Sequence, residues 1–65
     1  MQKYIEKMKR EAAELDSRIK KATDAVENPP FGMDAEGLRL LKLQICAMES
    51  YFNILKQRIR YEENK

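Results

Sequence analysis

The sequence predicts an all-α chain: an antiparallel two-helix hairpin that assembles into a helical homo-oligomer. Three observations lead there. Both prolines and one of the two glycines fall within Asn28-Pro29-Pro30-Phe31-Gly32. Long stretches rich in Ala, Leu, Glu, Lys and Arg, the best helix formers, flank this break. In both stretches the apolar residues recur at alternating spacings of three and four, the signature of a coiled-coil seam.

Helix 1 is expected over about residues 2–27. Its seam is Ile5, Met8, Ala12, Leu15, Ile19, Ala22 and Val26. Consecutive prolines remove two backbone donors and push Asn28 out of the helical region, so the helix stops there. A turn over 28–33 follows. Asp34 is a suitable N-cap for helix 2, expected over about 34–62, and Glu36 places a negative charge in its first turn. The second seam is Leu38, Leu41, Ile45, Met48, Phe52, Leu55 and Ile59. A short connection between long helices folds them back on each other.

Helix 2 carries a second stripe, Leu40, Leu43, Ala47, Tyr51 and Ile54, on a neighbouring face. One partner helix covers the first seam and not both. An apolar stripe of this length usually marks an interface, which is the reason to expect self-association.

Composition narrows the function. At 65 residues, 43% hydrophobic and 37% charged, the chain is one small domain, too apolar for a disordered tail. The net charge of +2 is spread along the chain without a basic block, which argues against binding duplex DNA or RNA. The one cysteine, Cys46, excludes an internal disulfide. It lies within the apolar run of helix 2 and reads as a small buried hydrophobe. Without histidine there is no Ser-His or Cys-His pair, and a metal site would need carboxylates alone. No metal, cofactor or catalytic residue is therefore expected. Carboxylate pairs such as Glu11/Glu14 and Glu62/Glu63 read as solvated ion-pairing groups. Neither a membrane span nor a signal peptide is visible, and the expected compartment is a reducing cytoplasm.

Cations and aromatics meet at one pole. The hairpin brings the start of helix 1, with Lys3, Tyr4, Lys7 and Arg10, beside the end of helix 2, with Lys56, Arg58, Arg60 and Tyr61. Phosphate needs Lys or Arg, and a flat base needs an aromatic or guanidinium plane, so this pole suits a nucleotide. The plainer reading is that the cations complement a helix C-terminus and the tyrosines pack at an interface.

The order of residues adds to this. Helix 2 reads Leu40-Leu41-x-x-Gln44-x-x-x-Met48-x-x-Tyr51-x-x-Ile54-Leu55-x-x-Arg58-Ile59, preceded by Phe31 and, in helix 1, by Glu11, Leu15, Arg18 and Ile19. Over nearly the whole chain this resembles the helical-hairpin sponges of phages, the anti-CBASS proteins, whose hairpin is shared with some anti-Thoeris sponges. Gln44, Tyr51 and Arg58 discriminate, because the apolar positions would fit any coiled coil.

The resemblance implies a hexamer of three head-to-tail pairs. It implies sequestration, without cleavage, of the cyclic dinucleotides or cyclic trinucleotides that act as bacterial immune second messengers. In that family a tyrosine stacks on each base of a cyclic dinucleotide between two protomers, and a cation farther along the first helix meets the phosphates. Tyr4 is then the stacker and Arg18 the cation, with Lys20 and Lys21 as alternatives and Lys7 beside the tyrosine. Arginine from the end of the second helix lines separate three-fold pockets for cyclic trinucleotides, a part that falls to Arg58 or Arg60. The competing reading is a structural or adaptor coiled coil whose second stripe docks another protein.

Overall fold

A computed structural model describes residues 2–65. It contains two helices, α1 over Gln2–Glu27 and α2 over Ala35–Glu63, packed as a hairpin. The hairpin measures 48 × 15 × 13 Å, a single elongated helical layer.

The break forms as the sequence suggests. Asn28 still donates its backbone N–H to Asp24, at 2.8 Å, and then the prolines end the ladder. The Met33 amide donates to the Pro30 carbonyl at 3.1 Å, closing a tight turn in which Gly32 takes φ 91°. A positive φ at the third position of a turn is the type II geometry, which a side chain would strain. Asp34 caps α2: its carboxylate accepts from the Gly37 amide at 2.8 Å. Just beyond, Arg39 pairs with Glu36, and the guanidinium holds that carboxyl below its ordinary range.

Both seams turn inward. Every seam residue is buried or half-buried, and every member of the second stripe is exposed. The buried residues are Met8, Ala12, Leu15 and Leu55, of which Leu55 is fully so; Ile5, Phe52 and Ile59 pack against the cluster of Met8, Ala12 and Leu55. The tightest packing therefore lies in the open half of the hairpin, where the small Ala12 lets α2 approach and Leu55 fill the gap. Leu40, Leu43, Tyr51 and Ile54 remain about half accessible, as does Tyr4.

Cys46 corrects an expectation. It is exposed, not buried. Five residues separate it from Leu41, which turns it about 140° away from the seam, so an apolar neighbourhood in sequence puts it on the far side of α2.

Candidate functional site

The open end of the hairpin holds a shallow groove of about 470 Å³ lined by Tyr4, Lys7, Met8, Arg10, Glu11, Glu14 and Arg58. Its α1 wall follows from spacing: Tyr4, Lys7, Glu11 and Glu14 recur at three and four residues, and so share one flank of the helix. Buried Met8 forms the floor. The α2 wall is Arg58, whose guanidinium Nη2 donates to the Tyr4 hydroxyl across the two helices. On the opposite flank of the seam, Lys9 pairs with Glu63 at 2.5 Å. These two polar links close the open end on either side of the Met8–Leu55 core.

Chemically, the groove offers an accessible phenol ring, an ammonium and two guanidinium groups, none of them in an ion pair among the described residues. It also holds two carboxylates. Glu11 and Glu14 were expected to be neutralised by neighbouring cations; instead they line the groove and form no ion pair among the described residues. The signal was present in the sequence, since both continue the Tyr4–Lys7 spacing.

Not all of the expected pole comes together. Lys3 lines an adjoining cleft with Glu6, Lys7 and Arg10. Lys56 sits 4.6 Å over the Phe52 ring. Arg60 lies in a separate hollow with Gln57, Tyr61, Asn64 and Lys65, and Lys65 covers the Tyr61 ring at 5.0 Å. Two residues along a helix are a rotation of about 200°, so Arg58 and Arg60 cannot share a face.

The helix 1 cations also divide. Arg18 follows Tyr4 by fourteen residues, which keeps it within about 40° of the same flank but about 21 Å farther along the axis. It does not line the groove of its own chain. Lys21 is about 100° round from Tyr4 and farther along the axis. Lys20 is about 160° from Tyr4 and pairs with Asp16 at 3.0 Å, which turns it away from the groove.

Among the described residues no cluster of Cys, Asp or Glu is disposed to hold a metal ion, and no helix is long and apolar enough to cross a membrane.

Fold and site together define a small helical hairpin with a cationic, tyrosine-bearing groove at its open end and an uncovered apolar stripe along α2. A family model described as Sequestin matches residues 2–61, and the chain belongs to the Sequestin family. The name denotes sequestration and agrees with the sponge resemblance read from the residues. No curated protein and no solved structure matches the chain significantly.

Proposed function

We propose that this protein is a non-enzymatic sponge for cyclic di- or trinucleotide immune second messengers. It would act in the cytoplasm of an infected bacterium, on behalf of a phage, to silence CBASS-type defence. The observation that carries this reading is the convergence of Tyr4, Lys7, Arg10 and Arg58 around one groove. A cyclic oligonucleotide presents flat bases joined by anionic phosphates. The phenol ring supplies a stacking plane, and Lys7 and Arg10 supply charge-assisted hydrogen bonds. Sequestration needs affinity alone, so a groove of binding groups without a nucleophile suffices.

The groove of one chain is open, and Arg18 lies about 21 Å along α1 from the Tyr4 of its own chain. In the proposed hexamer, Arg18 reaches a messenger held against a neighbour's Tyr4, with Lys21 behind it. The stripe Leu40, Leu43, Ala47, Tyr51 and Ile54 supplies the apolar contact surface. Because Arg58 is engaged with Tyr4, Arg60 is the arginine that would line a cyclic trinucleotide pocket.

Isothermal titration against a panel of cyclic di- and trinucleotides tests the reading. Saturable binding that weakens with salt, with the ligand recovered intact after unfolding the protein, is the expected result. Absence of binding across the panel would leave the adaptor coiled coil as the better description.

A further inference from the structure

Tyr4 stands in the first turn of α1, where backbone N–H groups have no intrahelical partners and the ring is 45% exposed. Packing alone does not fix such a ring. What reaches it is Arg58, fifty-four residues away in sequence and in the closing turns of α2. This is the one side-chain hydrogen bond among the described residues, ion pairs aside, that joins the two helices. The partner is unusual. A guanidinium that could pair with a carboxylate is given to a phenol hydroxyl, although Glu11 and Glu14 line the same groove.

We infer that Arg58 is a positioning residue for Tyr4: its guanidinium holds the phenol ring across the mouth of the groove in a binding-ready orientation. The inference rests on the reading of Tyr4 as the base-stacking ring. A ring already held in place loses less conformational freedom when a base stacks on it, so affinity rises without a new contact to the ligand. The planar fork matters because one N–H can donate to the hydroxyl while the others face the groove. An ammonium at this position would keep the charge and lose that geometry. The hydroxyl of Tyr4 thus acts through its orientation, and the ring face makes the contact.

The test is a double-mutant cycle with Tyr4→Phe, Arg58→Ala and the pair, titrated with cyclic di-AMP, with Arg58→Lys alongside. Each single change should weaken binding roughly 3–10-fold, the scale of one net hydrogen bond. The double variant should be no weaker than the worse single one, and Arg58→Lys should not restore affinity. Additive losses, or rescue by lysine, would overturn the proposal and make Arg58 a direct phosphate contact. The ligand-free protein gives an independent readout. Nuclear Overhauser contacts from the Tyr4 ring to Met8 should weaken in Arg58→Ala, and unchanged contacts would overturn the proposal even if cyclic di-AMP binds. If the wild-type protein binds no cyclic di-AMP, the ring contacts still decide the positioning role, and the functional reading alone falls. Tyr4→Phe removes one oxygen and serves in this readout if Arg58→Ala does not fold.

Discussion

Leu55 of α2 packs completely buried against Ala12 of α1, in a cluster shared with Met8. A large side chain facing a small one sets how closely the helices approach, and the groove at the open end is built on that contact. Leu55→Ala would leave a cavity that two rigid helices cannot collapse into. It should destabilise the fold by about 2–5 kcal/mol, read as a lower midpoint in urea by circular dichroism. A loss under about 1 kcal/mol would show that the contact does not anchor the hairpin.

The start of α2 depends on Asp34, whose carboxylate accepts from the Gly37 amide. Asp34→Ala should cost about 0.5–2 kcal/mol, and Asp34→Asn, which keeps the acceptor, much less. Equal losses in thermal unfolding would assign the effect to charge at the helix dipole.

For assembly, the protein should run well above its 7.7 kDa chain mass in multi-angle light scattering. Leu43→Glu and Ile54→Glu place a charge on residues that the hairpin leaves more than half exposed. Neither disturbs the Met8–Leu55 core, so a folded protein of lower mass is the expected product if the stripe is an interface. A helical monomer for the wild type at micromolar concentration would exclude the oligomer.

Arg18 and Lys20 separate two versions of the dinucleotide site. Arg18→Ala should weaken a cyclic dinucleotide, and more at low salt than at high, as expected of a screened phosphate contact. Lys20→Ala removes a cation already paired with Asp16 and should change affinity little. The reverse ranking would move the phosphate contact to the other flank of α1.

At the end of α2, Arg60→Ala should abolish cyclic trinucleotide binding and leave cyclic dinucleotide binding intact. A three-fold pocket would lose three charge-assisted hydrogen bonds through one substitution, each worth on the order of 1.5–3 kcal/mol. Titration of both ligand classes against the variant makes the comparison. Loss of both classes would point to a structural role for Arg60.

What the sequence by itself determined is the part of this protein governed by local rules. Alternating three- and four-residue spacing set both seams, because a helix brings such residues to one face. Pro29 and Pro30 ended α1, Gly32 made the turn, and Asp34 began α2, each through backbone constraints confined to a few residues. The uncovered stripe of α2 was legible for the same reason. Which residues of the crowded open end meet is a different kind of fact. It depends on the rotation and axial setting of α2 against α1, fixed by how Leu55 seats beside Ala12 and Met8. Only that long-range packing joined Arg58 to Tyr4 across the two helices. The parting of Arg60 from Arg58 into separate hollows is local by contrast, because residues two apart on a helix face opposite ways.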